Sequence, residues 1–172
     1  ATLAGGCFWC TEAVFLELRG VKTVVPGYIG GHTLNPTYAE ICTGNTGHAE
    51  AIEIVFDPNE ITFGELLEVF FATHDPTTLN RQGHDIGTQY RSEIFYHDEL
   101  QKEISEAYIA LMTQENTFKD PIVTQISPIS TFYNAEGYHN NYYNQNKLQG
   151  YCSYVITPKI EKVKKVFRDR LK

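Results

Sequence analysis

Methionine and tryptophan are nearly absent from this chain: 172 residues carry one of each, Met112 and Trp9. A lone tryptophan is spent where its bulk is needed, and here it sits just after a strand-like start, inside "GGCFWC". No apolar run approaches the roughly 20 residues that a membrane helix needs. No signal-peptide pattern stands before the glycines, and there is no repeat, low-complexity tract or linker. Four cysteines, Cys7, Cys10, Cys42 and Cys152, are too few for an extracellular disulfide scaffold of this size. A structural zinc site needs two ligand pairs, and only Cys7 and Cys10 form one. No metal site is expected, and histidine spacing offers none. Thiol chemistry in a reducing compartment, the cytoplasm, fits better.

Basic residues are also scarce: 14 against 21 acidic, a net charge of −7, which argues against nucleic-acid binding. The shortage is uneven. The last fourteen residues hold half of the basic side chains, and "PKIEKVKKVFRDRLK" reads as an amphipathic helix packed on an acidic body rather than as a membrane anchor.

What is present is an ordinary globular composition, 42% hydrophobic and 20% charged, in a length that suits one domain. Strands alternate with helices. "ATLAG" reads as a brief strand and Cys7 to Leu18 as a helix with Val14, Phe15 and Leu18 on one face. "VKTVVPGYIGG" and "EAIEIVFD" read as strands. Thr62 and Glu65 form a capping box before "FGELLEVFFATH". "YRSEIFYH" is a strand, Asp98 caps a helix running to about Glu115, and "IVTQISP" is a final strand. The polar, aromatic stretch "AEGYHNNYYNQNKLQGYCSYVI" reads as a short helix and irregular chain, of the kind that carries function. The order implies α+β, one sheet with helices on it.

A cysteine at a helix N-terminus, beside unpaired amides and the positive end of the macrodipole, is expected to have a lowered pKa and to act as a nucleophile. Cys10 lies one turn on, within disulfide reach. Two readings follow: a thioredoxin-like dithiol exchanger using Cys7 and Cys10, or an enzyme in which Cys7 attacks a substrate and another thiol recycles it. Phe8 and Trp9 favour the second, because a bulky aromatic pair beside a nucleophile makes a pocket for a small apolar group.

"GCFWC", "PTYAEICTGNTGHAEAIEI", "GTQYRS" and "FYNAEGYHNNYY", in that order, resemble the A-type peptide methionine sulfoxide reductases. That resemblance spans Gly5 to about Ile156 and implies reduction of the S-epimer of methionine sulfoxide, free or in proteins. It implies a single compact domain with a mixed sheet flanked by helices, a ferredoxin-like two-layer core, and a long irregular C-terminal segment. Cys7 would be the nucleophile, ending as a sulfenic acid. Glu50 would be the proton donor, its pKa raised by burial and titrating together with Cys7. Tyr38 and Tyr90 would hydrogen-bond the sulfoxide oxygen. Asp85 would hold a water or a polar substrate group, and Phe8 and Trp9 would enclose the methyl. Most members have glycine after the Trp where this chain has Cys10. They often carry a recycling cysteine near the C-terminus, where this chain has Cys152. Cys152, on a flexible segment, is expected to attack first, with Cys10 as alternative or relay. Cys42 is read as a buried structural thiol, and His48 and His139 as structural histidines. The resemblance further implies thioredoxin as reductant, no bound cofactor and a monomer.

Overall fold

A computed structural model describes all of residues 1–172. The first half of the chain runs β1 (Thr2–Gly5), α1 (Phe8–Leu16), β2 (Val21–Ile29), α2 (Tyr38–Cys42), β3 (Ala49–Phe56) and α3 (Phe63–Thr73). A small hairpin of β4 (Arg81–Gln82) and β5 (Asp85–Ile86) precedes β6 (Ser92–Tyr96), α4 (Glu99–Gln114), β7 (Gln125–Pro128) and β8 (Tyr133–Asn134). α5 (Tyr142–Gln145), a π-helical turn at Cys152–Ile156 and α6 (Thr157–Val166) complete it.

The six-stranded sheet has the order β7-β6-β1-β3-β2-β8. Its centre, β6-β1-β3-β2, is the antiparallel ferredoxin-like arrangement produced by two split βαβ units. β7 adds parallel to β6 and β8 antiparallel to β2, which makes the sheet mixed. The expected fold class is the observed one.

Strand alternation decides what each face carries. On β3, Ala49 and Ala51 join Ala4, Ile29 and Phe95 in a thin apolar layer under Ile129 and Phe132. Ile52 and Ile54 face the other way, into the main core with Phe8, Val14 and Phe15 of α1 and Leu66, Leu67 and Phe70 of α3. Each such side chain removed from water contributes about 1.5–3 kcal/mol. Glu50 shares the parity of Ile52 and Ile54, so a carboxyl is carried into the helix-covered face of the sheet. The helix starts are as the sequence implies: Thr62 and Glu65 complete a capping box, and the Asp98 side chain accepts the Gln101 N–H.

The basic tail folds back on the body. Ile160, Val163 and Phe167 are buried, and Arg170 pairs with Glu65 at 3.3 Å and Glu68 at 2.8 Å on α3. The Arg19 N–H donates to the Arg170 carbonyl and the Lys172 N–H to that of Glu17, which ties the chain's last residues to the end of α1. No helix is long and apolar enough to cross a membrane.

The C-terminal segment is more regular than its composition implies. Cys152, expected on flexible coil, lies in the π-helical turn and is fully buried. Tyr143, Ile156 and Ile160 bury apolar surface against the core and give that turn a reason to form.

Candidate active site

β1 delivers the chain to the site and Gly6 turns it. Gly6 has φ +92°, and a Cβ there would stand 2.6 Å from the Gln82 side chain, so only glycine fits. Cys7 follows as the N-cap of α1, its carbonyl accepting the Cys10 N–H at 3.0 Å.

The helix N-terminus is shared between two acidic groups. The Phe8 N–H donates to Glu50 Oε1 at 3.1 Å, while the Trp9 amide faces the Cys7 sulfur. The expectation of an acidified Cys7 is overturned, chiefly by its burial. Burial, the neighbouring Cys10 and the Glu50 carboxyl together hold the Cys7 thiol well above its ordinary pKa, and the single amide offsets only part of that. Burial likewise pushes Glu50, 1% exposed, up to about 8 against the pull of the Phe8 amide; the charges of Asp85 and Cys10 add to the rise. At neutral pH both groups therefore hold their protons.

Cys10 differs. Its contact with the Cys7 thiol, reinforced by Lys159 and Tyr151, brings it down to about 7 despite burial. The two thiols interact directly, with Lys159 acting on Cys10 and the Glu50 carboxyl on Cys7.

Tyr38 and Tyr90 are brought to the same place. Burial raises both hydroxyls above their ordinary pKa, and Glu50 and Cys7 push further in the same direction, so both remain donors. Asp85 lies opposite, and its Oδ2 accepts the Tyr151 hydroxyl at 2.6 Å. Phe8 is fully buried, 5.7 Å from the Tyr28 ring and 5.0 Å from the His139 ring, and forms the floor. Trp9 is only partly buried and forms the wall.

Several residues at the site were not given roles by the sequence reading. Tyr142 stacks on Trp9 with centroids 3.8 Å apart and planes 7° apart, and Tyr151 meets the same ring edge-on at 6.1 Å. The Trp9 Nε1–H donates to His139 Nδ1 at 3.0 Å, which fixes the indole's orientation. Glu136 accepts the Tyr28 hydroxyl and the Tyr38 N–H, both at 2.9 Å, and so anchors α2 beside the site. For Glu136, His139 and Tyr142 the signal was the block "FYNAEGYHNNYY", whose spacing alone assigns no role to its individual side chains; Tyr151 lies beyond it.

Two other thiols and one histidine complete the accounting. Cys42 is exposed, not buried, and its thiol contacts the Tyr38 hydroxyl. Cys152 Sγ donates to Gln149 Oε1 at 3.6 Å; burial and the proximity of Cys10 raise its pKa. His48 is bound on both ring nitrogens, by the Gly31 N–H at 3.0 Å and the Thr33 carbonyl at 2.7 Å, a structural role. No cluster of three or more His, Cys, Asp or Glu side chains is placed to hold a metal ion.

Two buried thiols in contact, beside a protonated acid and two phenolic donors, define a thiol-dependent oxidoreductase site. The particular family follows from comparison: the model of the peptide methionine sulfoxide reductases matches residues 1–171, and the chain belongs to that family. It is 52% identical over 171 residues to the peptide methionine sulfoxide reductase MsrA of Natronomonas pharaonis, covering 99% of this chain and 96% of that one. It is 55% identical over 172 residues to that of Deinococcus radiodurans, covering all of this chain and 84% of that one. Among solved structures, methionine sulfoxide reductase A of Corynebacterium diphtheriae superposes with a TM-score of 0.77 at 39% identity, over 86% of this chain and 74% of that one. Saccharomyces cerevisiae Mxr1 in its reduced form gives 0.77 at 35% identity, over 88% and 87%. Mxr1 in complex with Trx2 gives 0.53 at 26%, over 82% and 81%. The chain is an oxidoreductase acting on methionine sulfoxide.

Proposed function

We propose that this chain reduces the S-epimer of methionine sulfoxide, free or in proteins, by attack of Cys7 on the sulfoxide sulfur. The observation that carries the reading is the Glu50 carboxyl, buried on β3 and joined to the first turn of α1 by the Phe8 N–H. An acid that keeps its proton at pH 7 can give it to the sulfoxide oxygen, while the Tyr38 and Tyr90 hydroxyls steady the developing charge. The methyl group would lie against Trp9. Sulfur at Cys7, oxygen at the donors and methyl at the indole are three fixed points, which is enough to select one hand at a chiral sulfur.

The Cys7 S–H bond and the S=O bond break, a Cys7 sulfenic acid forms, and methionine leaves with both electrons of the reduction. A second thiol then displaces hydroxide, which departs as water, and closes a disulfide. Cys10 is the favoured attacker, because it is in contact with Cys7 at the start of the same helix; Cys152, close enough to Cys10 to feel its charge, follows as a relay. This reverses the order expected from the sequence. Thioredoxin would reduce the disulfide, in a reducing compartment such as the cytoplasm; the solved complex of Mxr1 with Trx2 supports a partner of that kind.

The test is a stoichiometric reaction. Fully reduced protein is mixed with excess S-epimer and no reductant, and methionine and thiols are counted. The first methionine should cost two thiols, and because the relay frees Cys7 a second methionine with loss of a third thiol is expected. Absence of methionine would leave the dithiol exchanger, which needs only Cys7 and Cys10.

A further inference from the structure

Glu12 lies on α1, 3% exposed, and forms no ion pair. Its Oε2 accepts the Asn141 N–H at 3.0 Å, and the Tyr142 N–H acts on the same carboxyl. Asn141 has left-handed backbone angles, φ 53° and ψ 40°, and gives α5 no side-chain cap. The first amides of α5 would otherwise be unpartnered, so a carboxylate from α1 caps this short helix from across the fold.

The segment held by that cap covers the thiols. Tyr142, directly after the capped amide, stacks on Trp9. Further along, the Tyr151 hydroxyl donates to Asp85 and lies 3.6 Å from Cys10 Sγ. Beneath it Cys7 is 8% exposed and Cys10 3%, while Cys152, carried by the segment itself, is turned inward and not exposed at all. Attack on a disulfide requires an incoming thiolate to reach a sulfur directly. No protein dithiol can do so while residues 137–156 lie in place, so the segment has to lift in every cycle.

We propose that Glu12 is the latch of this segment: its bond to the Asn141 and Tyr142 amides holds 137–156 over the thiols, and release of that bond admits the protein reductant. The proposal rests on the cysteine cycle described above. In the admitted step one thiolate of the reductant attacks a sulfur of the enzyme disulfide, forming a mixed disulfide and freeing the other enzyme thiol. The reductant's second thiol then displaces the remaining enzyme sulfur, so two electrons pass and both enzyme thiols return. Burial raises the Glu12 carboxyl to about 7, working against the two amides.

The experiment uses full-length E12Q, with E12A as a second variant. Oxidised enzyme is reduced by thioredoxin and, in parallel, by dithiothreitol, and amide exchange is followed by mass spectrometry. A latch predicts reduction by thioredoxin about tenfold faster in E12Q, the scale of one charge-assisted hydrogen bond. Dithiothreitol, which needs a smaller opening, gains less. Exchange should accelerate over 137–156 and stay unchanged over β1 and β3. Unaltered thioredoxin reduction in a folded variant overturns the proposal, as does faster exchange spread evenly through the sheet. Oxidised protein can be prepared with diamide as well as with methionine sulfoxide. A wild type that forms no methionine would therefore defeat the proposed function while the latch is still tested.

Discussion

Replacing Glu50 by glutamine separates the stability of this protein from its chemistry. The carboxyl stands at about 8 in the folded chain against an ordinary 4.5. Below pH 4.5 folded and unfolded chains both hold the proton, and the group is neutral to stability. Between the two values the unfolded chain ionises while the folded one does not, so the native state binds more protons and stability falls as pH rises. The slope is about 1.4 kcal/mol per pH unit, which sets a ceiling of about 3 kcal/mol between pH 6 and 8. Relaxation and water entry reduce that, so about 1–3 kcal/mol is expected. The glutamine side chain would be isosteric, would still accept the Phe8 N–H and would carry no charge. Urea unfolding of wild type and E50Q at pH 6 and pH 9 measures the effect. E50Q should gain on wild type by that amount at pH 9, while methionine formation falls about 10²–10⁴-fold, the usual contribution of a general acid. Glu12, also raised, is present in both proteins and cancels. A difference that stays flat from pH 6 to 9 would refute the reasoning, because Glu50 would then ionise normally and could not hold a proton at pH 7. Wild-type activity should accordingly fall as pH rises through about 8.

C10S should still form one methionine but lose one thiol rather than two, leaving a Cys7 sulfenic acid that dimedone traps. C152S should stop at one methionine with loss of two thiols when no reductant is present, and should slow thioredoxin-driven cycling. Y142A, which removes the ring stacked on Trp9, should raise the KM for methionine sulfoxide about 3–10-fold, from a stacking contribution of about 0.5–1.5 kcal/mol; a fall in the single-turnover rate with unchanged KM would contradict it. G31A places a Cβ 2.2 Å from the His48 backbone nitrogen and should destabilise by about 3 kcal/mol or more in urea unfolding, through overpacking where nothing flexible can yield.

Local signals in the sequence carried far. The Thr62–Glu65 box and the Asp98 cap are where the pattern puts them, because both depend on residues within one turn. Cys7, Glu50, Tyr38, Tyr90 and Asp85 were legible by likeness, and the fold does bring them together. Their environment was not legible. The burial of Glu50 follows from strand parity on β3 and from α1 lying over it, and the high pKa of Cys7 follows from its own burial beside Cys10 and Glu50. Neither can be read without the tertiary pairing. Cys42 was misread because α2 is a five-residue helix that buries only Ile41. Cys152 was misread because the polar, aromatic run around it gains its order from contacts about 130 residues away in sequence, such as Glu12 with Asn141 and Trp9 with His139.

The same burial that makes Glu50 an acid works against Cys7 as a nucleophile, and the proposed cycle has to reconcile the two. A thiolate and a carboxylate side by side in a dry site would repel, whereas a thiol beside a carboxylic acid carries no charge at all. The resting pair is thus the neutral one. Reaction can proceed without building net charge if Glu50 gives its proton to the sulfoxide oxygen as the Cys7 proton moves to replace it. One proton is consumed and one released at the same place. Such an exchange benefits from the exclusion of water, since a solvated carboxylic acid would simply ionise. On this reasoning the cover formed by residues 137–156 serves the chemistry and obstructs the recycling. A segment that must be closed for one half-reaction and open for the other is best held by a contact that can be released without unfolding the sheet, and a carboxyl on α1 holding two amides of a short helix is a contact of that kind.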